Sequence, residues 1–186
     1  MSYYYLVASL PLLERGDPAP MTPEEFLFHC TGALSSEDWQ ELERVIEGRV
    51  EECQSWFAEK WFGADTQLRN AAARIRATRR SMDAGEYLRA HTGFDARVEK
   101  AVTEAFAKTT PLEREATLDA CRWQILDEVA IEEPYGLASV CAFAVKLSIT
   151  ARWHDMKEEA GLARVEEIIE TNTNEEAWNE LLSASG

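Results

Sequence analysis

Leu137-Ala138-Ser139-Val140-Cys141-Ala142-Phe143-Ala144-Val145-Lys146-Leu147-Ser148-Ile149-Thr150-Ala151 is the stretch that decides the fold. Its apolar residues do not keep to one stripe. They surround the helix that the segment would form, and a helix of that kind is covered by neighbours on several sides. Lys146 interrupts the run, and Ser139, Ser148 and Thr150 add polar groups, so the segment is too short and too polar to cross a bilayer by itself. Tyr135 to Glu159 is therefore predicted to be one long central helix, apolar mainly in its first half.

The segments upstream supply the cover. Thr110-Pro111-Leu112-Glu113 is a capping box with proline at the first helical position, and it opens a helix to about Ile131, which Pro134 ends. Thr22-Pro23-Glu24-Glu25 repeats the signal and opens a helix to about Thr31, stopped by Gly32. From Ser35 or Ser36, the residues Trp39, Leu42, Ile46, Val50, Cys53, Phe57 and Trp61 follow steps of three and four. That spacing predicts one amphipathic helix ending near Gly63, with glutamates over much of its other face. Asp65 or Thr66 is expected to cap a third helix through about Met82. A short helix over Asp83 to His91, a break at Gly93 and a helix over Phe94 to Lys108 follow. Tyr3 to Leu10 has the aromatic content of a strand, but no later segment offers it a partner, so helix is preferred. Beyond Gly161 come a helical stretch, Leu162 to Glu170, and a polar tail, with 172–186 docked loosely. The expectation is an all-α fold, a multi-helix bundle of roughly eight helices in a single domain over 1–186.

Composition narrows the partners. With 34 acidic and 19 basic residues the net charge is −15. Phosphate backbones and anionic lipid repel such a chain, so protein partners are expected and nucleic acid is not. The four cysteines, Cys30, Cys53, Cys121 and Cys141, form no Cys-x-x-Cys pair. The apolar opening is too short for a secretory leader, so reduced thiols and a cytoplasmic location are expected.

The usual signatures of chemistry are missing from the sequence. No Gly-x-x-x-x-Gly-Lys or Gly-x-Gly-x-x-Gly loop occurs, and no Gly-x-Ser-x-Gly. Phe26, Leu88 and Ala151 precede the three histidines by three positions, which excludes the simple di-iron Glu-x-x-His pattern. Paired carboxylates such as Glu51-Glu52 and Glu132-Glu133 read as solvated faces. No catalytic residue, cofactor or metal is expected.

Two charge features stand out. Arg69, Arg74, Arg76, Arg79 and Arg80 lie in a stretch, Thr66 to Met82, that contains no acid. Pairing with glutamates of neighbouring helices is the plainer reading, and an interaction face for an acidic segment of a partner is the functional one. Lys146 sits among apolar residues and calls for an acid, with Asp119 and Asp127 of the preceding helix as candidates. A structural ion pair among Asp119, Arg122, Asp127, Lys146 and Arg152 is expected to hold those two helices in register. Arg122-Trp123-Gln124-Ile125-Leu126-Asp127-Glu128 also echoes Arg152-Trp153-His154-Asp155-Met156-Lys157-Glu158, which coincidence explains.

Three segments resemble a known family. Tyr3-Tyr4-Tyr5-Leu6-Val7-Ala8-Ser9-Leu10-Pro11 with Pro23-Glu24-Glu25-Phe26-Leu27 is similar to the start of an uncharacterised bacterial family, domain of unknown function 2764. Leu118 to Glu128 and Ala144 to Trp153 look like its other two hallmarks, while Gly63 to Pro111 is weakly matched. Members of that family are similar to the central-stalk funnel protein of V-type (archaeal-type) ATPases. That protein is all-helical, links the membrane rotor ring to the central shaft and does no chemistry itself. This chain is short beside a full-length funnel. The resemblance implies a V-type ATPase funnel-like bundle, rotor or shaft subunits as partners, and a cytoplasmic place peripheral to the membrane. It carries over no catalytic residue. It marks Asp119, Arg122, Trp123, Asp127, Lys146, Arg152 and Trp153 as structural or interface positions. A free-standing helical adaptor or regulator is the alternative, and an enzyme with an unfamiliar carboxylate or metal site is the third.

Overall fold

A computed structural model describes residues 2–156. The expected helix Leu162 to Glu170, the tail 172–186 and the end of the central helix at Glu159 lie outside the described residues. Among those described there are seven α-helices and no strand. They are α1 (Tyr4–Ser9), α2 (Pro23–Cys30), α3 (Ser36–Glu47), α4 (Trp56–Arg79), α5 (Ala96–Phe106), α6 (Pro111–Glu132) and α7, which begins at 137 and is described to 156. Short 3₁₀ turns stand at Val50–Glu52 and Gly85–Tyr87. None of the described helices is long and apolar enough to cross a membrane.

The start signals work as their chemistry dictates. Thr22 and Thr110 each accept a hydrogen bond from the backbone three residues on, and Glu25 and Glu113 return it. Ser35 caps α3 through the backbone N–H of Asp38. The segment at Tyr3 is helical. Its backbone N–H donates to the carbonyl of Tyr135 at 2.5 Å, and its hydroxyl meets Asp38, so the N-terminus is tied to both α3 and the α6–α7 turn.

Helices α4, α5 and α6 pack against one another. α7 lies among them as a core element: Ala138, Val140, Cys141, Ala142, Ala144, Leu147 and Ile149 are all buried. Phe143 places its ring 5.3 Å from that of Phe26, which seats α2 on α7. Of the residues expected in the core, Leu42, Leu126, Val140, Ala144 and Leu147 are fully buried, and Trp39 and Trp153 are half-buried against it.

Three expectations need correction, and all concern α3, α4 and the loop after them. The single helix from Ser35 to Gly63 is two helices. Gly48 adopts a left-handed conformation at φ 69°, which lets Arg49 N–H close back on the carbonyl of Arg44 at 2.9 Å and stops α3. Ile46 then falls on an exposed last turn rather than on the continued core stripe. Next, Asp65 and Thr66 do not cap a helix. α4 starts at a different cap, Ser55, and runs unbroken through Gly63 and Asp65. Gly63 is there for space: a Cβ at this position would stand 2.7 Å from the carbonyl oxygen of Thr92. Finally, Asp83 to His91 forms only one 3₁₀ turn. Asn70 on α4 takes the backbone of Arg89 with a pair of hydrogen bonds, at 2.7 and 3.0 Å, and Gln67 takes that of Asp95 at 2.8 and 2.9 Å. Beyond that turn, buried amides of α4 hold the loop.

The start of α4 relies on an acid that the sequence places on a solvated face. Glu41 is buried on α3, and its carboxylate accepts from the backbone N–H of Ser55 at 2.7 Å and of Gln54 at 2.9 Å. Burial opposes its charge. The hydrogen bonds from Ser55, Gln54 and Arg44 outweigh burial and hold the carboxyl below its ordinary range. Glu133, expected on a solvated face, likewise accepts from the backbone N–H of Ala138 at the start of α7, at 3.1 Å.

Candidate functional site

The densest polar arrangement among the described residues centres on Asp119. It lies on the inward face of α6 and is 2% exposed, in helical register with Trp123 and Leu126 on the buried stripe. A carboxylate so placed must be satisfied by donors. Three reach it. Arg122, one turn along α6, donates to Oδ1 at 2.7 Å. From α7, Arg152 donates to Oδ2 at 2.6 Å and the Trp153 indole to the same oxygen at 2.7 Å.

Arg122 carries the network to α4. Its Nε donates to Asp65 Oδ1 at 2.9 Å, and the other oxygen of Asp65 pairs with Arg69 at 2.6 Å. Glu115 closes the outer edge, 3.3 Å from Arg122 and 3.5 Å from Arg152. Burial disfavours the charge on Arg122, but Asp65 and Asp119 outweigh it and raise its pKa above the ordinary arginine value. Three acids (Asp65, Glu115, Asp119) and three arginines (Arg69, Arg122, Arg152) thus form a formally neutral cluster spanning α4, α6 and α7. A neutral, hydrogen-bonded cluster tolerates burial that an unpaired charge would not.

Lys146 pairs with Asp127 rather than Asp119. Its ammonium lies 5.2 Å from the ring centroid of Trp123, so α6 and α7 meet at a second charged contact near the other end of α6. The echo noted between the two Arg-Trp segments has a spatial sequel. Arg122 and Arg152 share one carboxylate, Trp153 shares it too, and Trp123 packs under Lys146. A third tie joins α5 to α6, where Arg97 bridges Asp95 and Glu128 at 2.7 and 2.5 Å.

A cavity of about 330 Å³ adjoins the cluster, between the loop Arg15-Gly16-Asp17-Pro18 and the facing side chains Asp119, Ile149 and Trp153. It is mostly apolar, with Asp119 at its polar edge. The cysteines are not set up as nucleophiles. Burial raises the Cys30 and Cys53 thiols to about 11, and raises Cys121 and Cys141 as well. Among the described residues no group of three or more His, Cys, Asp and Glu is arranged to hold a metal.

The five arginines of the acid-free stretch separate in space. Arg69 belongs to the Asp65 cluster, and Arg74 stands 3.5 Å from Glu99 on α5. Arg76 and Arg79 lie against the ring of Phe106, and Arg80 is exposed at the end of α4. Asp65 and Glu115 are the members of the Asp119 cluster that sequence reasoning missed. A signal for Asp65 was available: it shares the helical register of Trp61 and Leu68, four before and three after, and so sits on a buried stripe.

Residues 98–176 match the model of a family described as protein of unknown function (DUF2764). The DUF2764 match begins within α5, covers α6 and α7, and holds Asp119, Arg122, Asp127, Lys146 and Arg152. Asp65 and Arg69 lie before it, as do the N-terminal segments that carried part of the resemblance. No curated protein and no solved structure matches the chain. The likeness to the V-type ATPase funnel therefore has no counterpart among these comparisons.

Proposed function

We propose that this protein is a non-catalytic structural or coupling component associated with a V-type ATPase, in the manner of the central-stalk funnel between rotor ring and shaft. The observation that carries the reading is the neutral cluster around Asp119. Its ionised groups are spent on one another and fasten α4, α6 and α7 together, and Asp119 is the most buried of them. Bonding of that kind serves a body that transmits force or holds position, since register between helices is what a buried charged network specifies best. The resemblance to DUF2764 supplies the partner class. On this reading the protein works in the cytoplasm, peripheral to the membrane, through protein contacts.

The test is purification of the tagged full chain from its own cells, with identification of co-eluting proteins. Rotor or shaft subunits of a V-type ATPase should be recovered in stoichiometric amounts. Their absence would reject the assignment.

A second reading, a free-standing helical adaptor or regulator, is favoured by an exposed aromatic group. Tyr4 and Tyr5 pack at 5.6 Å, and Tyr4 and Tyr135 at 4.9 Å, while all three remain about half exposed or more. Tyrosines presented in this way suit protein contact whatever the partner. Recovery of one stable partner unrelated to rotary ATPases would select it.

A further inference from the structure

Three guanidinium groups from two helices converge on one phenylalanine ring. Phe106 ends α5 and is 4% exposed. The guanidinium carbons of Arg76, Arg79 and Arg114 lie 5.6, 5.2 and 4.9 Å from its ring centroid. The face of an aromatic ring attracts cations, which explains each contact singly. It does not explain three together, because like charges at this spacing repel.

Several of the acids near these arginines in sequence bond elsewhere. Glu113 caps Thr110, Glu104 pairs with Lys100, Asp83 caps Gly85, and Glu115 faces Arg122 and Arg152. Arg79 donates one N–H to the Phe106 carbonyl at 2.6 Å, and the Nε of Arg114 is buried without a hydrogen-bond partner. None of the three forms an ion pair among the described residues. In a chain of net charge −15, positive charge without an ion-pair partner among the described residues is gathered at this end of α4.

Apolar surface lies beside it. Arg76 and Arg80 border a cavity of about 250 Å³ together with Met82 and Tyr87, residues that are 53% and 60% exposed.

We propose that this surface docks an acidic segment of a partner protein, with carboxylates on Arg76, Arg79 and Arg114 and an apolar side chain in the cavity between Met82 and Tyr87. Each guanidinium offers a planar pair of donors that fits a carboxylate. The strongly acidic remainder of the chain repels a segment that lands elsewhere, so the patch sets position as well as affinity. A second copy of this chain is disfavoured by its own charge. The proposal deepens the reading of the protein as a connector that works through its surfaces, and it relocates the expected interface: Arg69 and Arg74 leave it and Arg114 enters.

The test uses the full chain and a labelled glutamate-rich peptide bearing one central Phe, followed by fluorescence anisotropy at low salt. A twin peptide with Gln for every Glu is the control. The wild type should bind the acidic peptide at least about tenfold more tightly than the twin, and R76Q/R79Q/R114Q should lose about tenfold in affinity. Rising salt should weaken wild-type binding. The corresponding triple Lys variant keeps the charge but not the planar donor pair, and should bind more weakly than the wild type and more tightly than the Gln variant. If the Gln variant fails to fold, the single substitution Arg76→Glu, on an exposed position, keeps the test, because it must weaken binding. Equal binding by the Arg76→Glu chain, no binding by the wild type, or displacement of the peptide by inorganic phosphate at matched ionic strength would overturn the proposal. The last outcome would assign a small-anion site. No ATPase component enters this experiment, so its failure is distinct from failure of the ATPase assignment.

Discussion

Arg152 reaches from α7 to Asp119 on α6 at 2.6 Å, and the two ends of that contact are unlike: the carboxylate is 2% exposed and the guanidinium side chain 48%. The asymmetry decides which partner matters more. Without Arg152, Asp119 keeps Arg122 and Trp153. Without the Asp119 carboxylate, Arg122, itself 14% exposed, keeps Asp65 and Glu115 but loses its shortest contact, and the Trp153 indole loses its acceptor.

Asp119→Ala is therefore expected to lower stability by about 3–5 kcal/mol, the cost of breaking a buried charged group from its partners. Arg152→Ala should cost about 1–2 kcal/mol, because a half-exposed pair is screened by solvent. Urea denaturation of both variants checks this. Equal losses would mean that the burial of Asp119 does not set the cost.

Gly63 provides a test in which local and tertiary preferences oppose each other. Alanine favours a helix interior over glycine by about 1 kcal/mol. Here the added Cβ would meet the Thr92 carbonyl at 2.7 Å, and that oxygen is backbone. Gly63→Ala should therefore destabilise, by about 1–3 kcal/mol, as overpacking does. A thermal midpoint equal to or above that of the wild type would show that the 88–95 loop yields without cost.

The Glu41 carboxylate sets a pH dependence. Its folded-state pKa lies below the ordinary glutamate value of 4.5, so its stabilising contribution is full above that value. It is lost as pH falls through the lower folded value, where protonation removes an anion from the backbone N–H groups of Gln54 and Ser55, just ahead of α4. Glu41→Gln should cost about 1–3 kcal/mol at neutral pH, in line with hydrogen bonds to a charged group. The variant should also show a shallower loss of stability between about pH 5 and pH 3. Denaturation midpoints across that range decide it, and parallel curves for variant and wild type would remove Glu41 from the acid transition.

Much of the helical plan was legible because its signals are local. A threonine with glutamate three residues on and proline between them satisfies N–H groups within one turn, so Thr22 and Thr110 could be read without knowing any neighbour. The all-round apolar pattern of Leu137 to Ala151 likewise required burial on several sides. Boundaries within α3 and α4 were not legible. The three-four spacing from Trp39 to Trp61 continues across Gly48, and periodicity by itself does not register a left-handed residue that ends the helix.

The charges divide in the same way. That Lys146 and the residues around Asp119 needed partners followed from polar groups standing on apolar stripes, a property of the sequence itself. Which partners they take is a matter of tertiary distance: Asp127 for Lys146, and Asp65, fifty-seven positions away, for Arg122. Arg76, Arg79 and Arg114 make the point most clearly. The sequence by itself determined a helical, acidic chain with one arginine-rich stretch. Arg69 takes Asp65 one turn back on its own helix, a contact that helical spacing allows. Only the packing of α4 against α5 and α6 sent Arg74 to Glu99 and gathered Arg76 and Arg79 with Arg114 on Phe106, because electrostatic pairing depends on separation in space, and helical periodicity does not encode separation between helices.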